Sequence, residues 1–241
     1  MVSSACSLAA AFMLASGDIP HPAGYLLVKP DGVRTAEIAT VIPYEPREGD
    51  LIFYDDHSRV WTALFKAAGT GPPLHMGIVV KKRDGSFAVL EAGPDDTVWV
   101  KLLDLTPRLH QFRRDFGGTV TIRRCKVALR PKQSAALTRF ALAQRGKRYA
   151  VVRMLLQGTW LRPRGLLAPL LARTYLDRDA WICSELAVAA GSVAGLFDPT
   201  KVRANATYPR DLVDDRRHDL SAVWEAPVEW RPGLFLFIMG P

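Results

Sequence analysis

The sequence predicts an α+β protein built on an antiparallel sheet. Three observations carry this. Four segments rich in Val, Ile, Phe and Trp follow one another between residues 75 and 129, a meander and not an alternation of strands with helices. Helical spacing is confined to segments before and after that run. No strand is followed by GxGxxG or by a P-loop, the glycine fingerprints of a nucleotide-binding βαβ unit.

Composition frames the same conclusion. A chain of 241 residues fits one domain, and 49% apolar residues can build a core but not a multi-span membrane protein. The net charge of +8, mostly arginine, fits an anionic partner such as a membrane surface or an acidic cell-wall polymer; a solvated basic surface accounts for it equally well. No basic run is interleaved with aromatics and no zinc-finger spacing occurs, so no specific nucleic-acid partner is expected.

Taken in order, the chain starts with MVSSACSLAAAFMLASGD. Its apolar run, Ala5 to Ala15, has signal-peptide length but lacks a preceding Lys or Arg, so export and a cytoplasmic location both stay open. Residues 18–48 are rich in Pro and Gly and hold one apolar stretch, Ile38 to Ile42, read as a linker or a peripheral strand. The expected division is a leader or linker over 1–45 and one domain over 46–241. LIFYD (51–55) is strand-like after the turn at Glu48-Gly49-Asp50. Val60 to Ala68 has helical spacing, and Gly69 to Pro73 breaks it. The four strand candidates are HMGIVVK (75–81), FAVLEA (87–92), TVWVKLLDL (97–105) and TVTIRRCKVAL (119–129). Pro131 opens a helix that stops at Gly146. A Leu- and Arg-rich segment, 158–173, is broken by Pro163, Gly165 and Pro169. A helix from about Cys183 to Gly195 follows, then a short helical piece in TYPRDLVDD (207–215), and GLFLFIMG (233–240) is read as a last strand.

Three cysteines, Cys6, Cys125 and Cys183, are too few and too widely spaced for a disulfide framework or a metal knuckle. Cys125 sits in a strand and reads as structural. Cys183 sits at a helix start, where partial positive charge and free N–H groups favour a thiolate; a buried packing role is the alternative. Among the five histidines, His110 and His218 lie among charges, whereas His75 opens an apolar strand after Pro72-Pro73. The loop Arg83-Asp84-Gly85 sets a hairpin in which Lys82 pairs with Ser86 and Gly77 faces Glu91. Glu91 then lies diagonal to His75 on one face, within reach of its imidazole; a one-residue slip would send it to the other face. Gly77 and Gly93, small residues beside His75, leave room for another element, for which the helix bearing Cys183 is the candidate. Cysteine, histidine and carboxylate would form a nucleophile, a base and an orienting group.

EGDLIFYDD (48–56), HMGIVV (75–80) and VLEAG (89–93) together resemble the GDL…HVGI…A phrase of the NlpC-type papain-fold cysteine peptidases. The cysteine motif, Cys183-Ser184-Glu185, comes after these strands and not before them. That order is similar to the permuted papain-like amidases of the YaeF/YiiX-like branch. RGKRY (145–149) resembles the G-x-P-Y phrase of the wider superfamily, with Arg148 in place of proline. The resemblance spans roughly residues 46 to 214 and implies a circularly permuted papain-like fold, its antiparallel sheet packed against the cysteine-bearing helix. It implies a cysteine-dependent amidase or peptidase, by default on cell-wall peptides, with Cys183 as nucleophile, His75 as base and Glu91 as orienting carboxylate. Tyr149 and Ser184 fall on the substrate or oxyanion side, and no cofactor or metal is implied. A lipid-directed acyltransferase or thioesterase on the same triad is the alternative, because the leucines of Trp160 to Leu171 with Arg162, Arg164 and Arg173 suit an acyl chain or an anionic membrane. A non-catalytic binding module is a third reading. A zinc site on Cys183, His75 and Glu91 ranks last, for want of a fourth ligand.

Overall fold

The computed structural model describes residues 22–28, 40–157, 168–215 and 217–233. The apolar N-terminal run, residues 158–167 of the Leu/Arg-rich segment and all but Gly233 of the expected last strand lie outside the described residues. The chain order is β1 (Tyr25–Val28), β2 (Thr40–Pro43), β3 (Leu51–Asp55), α1 (Arg59–Ala67), β4 (His75–Lys81), β5 (Phe87–Ala92), β6 (Val100–Asp104), α2 (Leu105–Phe116), β7 (Thr119–Arg123), α3 (Pro131–Gln144), β8 (Arg148–Tyr149), α4 (Val151–Leu156), α5 (Ala168–Leu171), β9 (Ala180–Trp181), α6 (Cys183–Val193), α7 (Pro209–Val213) and β10 (Val228–Arg231). Eight strands form one sheet in the order β2-β1-β10-β7-β3-β4-β5-β6, and every neighbouring pair is antiparallel. A separate two-stranded parallel pair joins β8 to β9. The architecture is α+β.

The hairpin forms as its turn dictates. Gly85 takes a left-handed φ of 87°, Lys82 N–H donates to Ser86 O at 2.8 Å, and Gly77 pairs with Glu91. The central strands read as nearly continuous apolar runs because both faces are covered. Met76, Ile78 and Val80 face α3 and α6 in one core, with Leu137, Phe140 and Leu186. Val79 and Val89 face α2 in a second core, with Leu109 and Phe112. Period-2 patterning puts His75, Gly77 and Glu91 on the α2 face with Val79 and Val89.

The GDL turn has a structural explanation. Gly49 adopts φ 88°, and the Asp50 carboxylate is buried, accepting from Tyr44 Oη at 2.9 Å, Arg47 N at 2.9 Å and Cys125 N at 2.7 Å. Burial outweighs these bonds and raises its pKa from 3.8 to about 6. Asp50 thus ties β3 to the chain on either side. Cys125 is buried, and burial raises its thiol to about 11, in keeping with a packing role.

Three elements depart from the expectations. Residues 106–116, unassigned in the sequence reading, form α2 together with Leu105, the last residue of the expected strand 97–105, and His110 stands half-buried and edge-on to Trp230 at 5.3 Å, away from a purely charged surface. β10 inserts between β1 and β7, a strand too short and too charged (VEWR) to announce itself. β1 and β2, from the Pro/Gly-rich stretch, extend the same sheet, so Ile38 to Ile42 overlaps an edge strand.

Candidate active site

Each functional side chain is delivered by a terminus. His75 is the first residue of β4, and Cys183 the first residue of α6. α6 does not lie over the His75 face. It packs against the opposite one, with Gly191 close to Ile78, and its N-terminus brings Cys183 to His75 at the end of the strand. The room beside Gly77 and Gly93 is filled by other groups. A Cβ on Gly77 would sit 2.8 Å from Glu91 Cγ, so glycine lets the Glu91 side chain cross toward His75. A Cβ on Gly93 would meet the Tyr149 ring at 2.7 Å, and its φ of 70° ends the β4–β5 ladder there.

The structure brings all three of the expected triad residues together. His75 Nε2 hydrogen-bonds Glu91 Oε2 at 2.8 Å, and Cys183 lies close enough to the same imidazole to raise its pKa. With Nε2 committed to Glu91, Nδ1 is the nitrogen left for the sulfur. Cys183 is buried, and one fifth of the His75 side chain is exposed.

Two residues that the sequence reading missed complete the arrangement. Arg108, buried on α2, donates to both Glu91 oxygens, Nε to Oε1 and Nη2 to Oε2, each at 3.0 Å. Its third nitrogen, Nη1, donates to Asp95 at 2.6 Å. Tyr54 Oη donates to Glu91 Oε1 at 2.8 Å. The carboxylate therefore receives four hydrogen bonds while fully buried. The signal for Arg108 was present: Leu105, Leu109, Phe112 and Phe116 recur at helical spacing within a charged segment.

The electrostatics follow from these contacts. Burial alone would raise the Glu91 pKa, but the hydrogen bond from His75 and the Arg108 charge prevail and lower it from 4.5 to about 2. Burial opposes a charged His75, but the hydrogen bonds and charges of Cys183 and Glu91 raise it from 6.5 to about 9. The arrangement thus favours imidazolium beside an ionised Glu91.

Tyr149 stands beside this group, its hydroxyl donating to Met154 Sδ at 3.3 Å, a weak acceptor that a better one could displace. Burial, then the negative charges of Cys183 and Glu185, raise its pKa. Ser184 is buried on the first turn of α6. Glu185 braces that turn: its carboxylate accepts from Ile182 N at 3.3 Å and pairs with Arg153 at 3.0 Å and Arg178 at 3.5 Å. Among the described residues, no group of three or more His, Cys, Asp or Glu is placed to hold a metal, so Cys183, His75 and Glu91 do not form a ligand set. No described helix is long and apolar enough to cross a membrane.

No family model matches the sequence, and no curated protein matches it. Among solved structures the chain is similar to the metalloprotein YiiX from Escherichia coli O157:H7, at 21% identity over 63% of this chain and 67% of that one, with a TM-score of 0.43. This structural neighbour is of the YiiX-like family that the sequence resemblance named.

Proposed function

We propose that the protein is a cysteine-dependent hydrolase of amide bonds on a circularly permuted papain-like fold, with His75 and Glu91 ahead of Cys183 in the chain. The observation that carries this is the His75 ring at the start of β4, hydrogen-bonded to the buried, ionised Glu91 and close to Cys183 at the start of α6. Glu91 fixes the ring so that one nitrogen faces the sulfur, and Arg108 and Tyr54 hold Glu91.

The steps follow from the geometry. The thiolate attacks the carbonyl carbon, forming a C–S bond and an oxyanion. N–H groups of the first turn of α6 lack intrahelical partners and face developing negative charge, with Tyr149 and Ser184 as further donors. The imidazolium gives its proton to the leaving amine as the C–N bond breaks. Water then adds to the thioester, passing a proton to His75, and the acid leaves as the C–S bond breaks.

The test is site-resolved alkylation. Iodoacetamide at pH 6 should label Cys183 much faster than Cys125, and His75→Ala should remove the difference. Equal rates at the two cysteines in the wild type point instead to a binding module. With a panel of amide substrates, Cys183→Ala must abolish turnover; residual hydrolysis in that variant refutes the assignment.

A further inference from the structure

We infer that the amine released in this reaction carries a positive charge of its own, held by the Asp56 carboxylate among aromatic rings in the cavity on the His75 side. This rests on the cysteine-hydrolase reading and names the leaving group for that site: an alkyl amine bearing a second, cationic nitrogen and no carboxylate.

The chemistry selects the cavity. The imidazolium passes its proton to the amide nitrogen as the C–N bond breaks, so the leaving group lies against His75. A cavity of about 370 Å³ opens there, lined by His75 and not by Cys183. The second nitrogen takes no part in bond breaking and keeps its charge throughout.

The charged groups of this cavity are unequally committed. Its arginine, Arg108, gives Nε and Nη2 to Glu91 and Nη1 to Asp95. His75 hydrogen-bonds Glu91 through Nε2. Asp95 is engaged as well, Oδ1 by Arg108 and Oδ2 by Gln111 Nε2 at 3.2 Å. Asp56 differs. Its Oδ1 accepts from Ser58 N at 2.9 Å, and Oδ2 has no partner among the described residues. The residue is half-buried, where water screens a charge less than at an open surface. Next to it His57 takes a left-handed φ of 57°, and its Nε2 hydrogen-bonds Thr119 Oγ1 at 3.0 Å, which fixes the turn that carries Asp56.

The walls fit the same ligand. Trp61, Phe65, Phe112 and Phe116 line the cavity with Asp56, and Trp61 and Phe116 remain 36% and 39% exposed. Aromatic ring faces attract cations within about 6 Å of the centroid. The Arg108 guanidinium already lies 5.1 Å from the Tyr54 centroid and 5.8 Å from that of Phe112. Phe116 stacks on Phe112 at 5.3 Å and extends the aromatic wall toward solvent. Thr97 Oγ1, buried with no hydrogen-bond partner among the described residues, adds a neutral acceptor. A carboxylate on the leaving group would meet Asp56 and find no uncommitted arginine or lysine among the described residues that line the cavity.

The experiment measures binding of three amides of similar length to the full Cys183→Ala chain, in which no ligand is consumed. They are N-acetylputrescine, N-pentylacetamide and N-acetyl-γ-aminobutyrate, which are cationic, neutral and anionic. The ring protons of His75 report occupancy of the cavity by NMR. The cationic amide should bind on the order of tenfold more tightly than the neutral one, the size of one partly desolvated cation contact, and the anionic amide should bind more weakly than either. Asparagine at position 56 keeps an acceptor for Ser58 N, so Asp56→Asn preserves the turn; it should bring the cationic and neutral affinities within about twofold. Phe116→Leu should weaken the cationic amide about threefold and leave the neutral one unchanged. Equal affinities for the three amides, no shift with the cationic one, or a preference that survives Asp56→Asn overturns the inference; with wild-type Cys183 still fast toward iodoacetamide, the hydrolase reading stands. Wild-type Cys183 no faster than Cys125 overturns both.

Discussion

Replacing Glu91 by Gln perturbs the site at its most constrained point. The side chain is fully buried and receives hydrogen bonds from His75, Tyr54 and, twice, Arg108. An amide keeps one acceptor oxygen and places a donor where the other oxygen had accepted from Arg108 and a second group. Arg108 then remains buried with Asp95 as its one anionic partner among the described residues. Removing one member of a buried pair costs on the order of 3–5 kcal/mol, and the surviving Asp95 contact places this case at about 3. Titration gives the same scale. A carboxyl held at about 2, against 4.5 when unpaired, contributes about 3 kcal/mol that is fully present above pH 4.5 and lost as pH falls through about 2. Urea unfolding at pH 7 should show this loss with an unchanged slope. The chemistry should suffer in parallel. Without the carboxylate, each unit by which the His75 pKa drops lowers the thiolate–imidazolium population tenfold, so alkylation of Cys183 at pH 6 should slow by about tenfold or more. Wild-type stability, or undiminished alkylation in a folded Glu91→Gln protein, would refute the role assigned to Glu91.

Other perturbations test the same geometry. The His75 ring should titrate near pH 9 by NMR in the wild type, and well below that in Cys183→Ala, because the raising effect of Cys183 is then lost while burial still opposes the charge. Since the folded pKa lies above the ordinary 6.5, His75 contributes about 3 kcal/mol that is fully present below pH 6.5 and lost as pH rises through about 9. The stability gap between wild type and His75→Gln, measured in urea, should close over that window. Gly77→Ala should cost about 1–3 kcal/mol in thermal or urea unfolding and slow Cys183 alkylation, since the added methyl would lie 2.5 Å from Val89 Cγ2 and 2.8 Å from Glu91 Cγ. Gly93→Ala should cost a similar amount, combining a left-handed φ with contact on the Tyr149 ring.

The hairpin was legible because its determinants are local. A three-residue loop with Gly85 in the left-handed position fixes the β4–β5 register, and the register fixes the face on which Glu91 lies. Cys183 was legible as a helix start for the same reason, with Glu185 supplying a first-turn acid. Arg108 was missed because, although the apolar residues of LTPRLHQFRRDF recur at helical spacing, an arginine among them reads as a solvated side chain. Tyr54 was hidden because a tyrosine in an apolar strand reads as core, and its hydroxyl finds a partner two strands away. The use of Gly77 and Gly93 was misassigned, since smallness shows that something approaches and not what does.

The sequence by itself determined the central strands β3 to β7, the turn between β4 and β5, the helix that starts at Cys183 and the residue types able to perform acyl chemistry. Periodicity, loop length and helix capping act between near neighbours, so they can be read along the chain. Only the tertiary structure decided that α6 covers the face opposite His75 while its first residue still meets that ring. It also decided that α2 delivers Arg108 to Glu91, and that α1 and α4 stand beside the sulfur with apolar side chains uncovered. Those outcomes depend on packing between segments far apart in the chain, where burial and shape choose the partner and no local pattern encodes it.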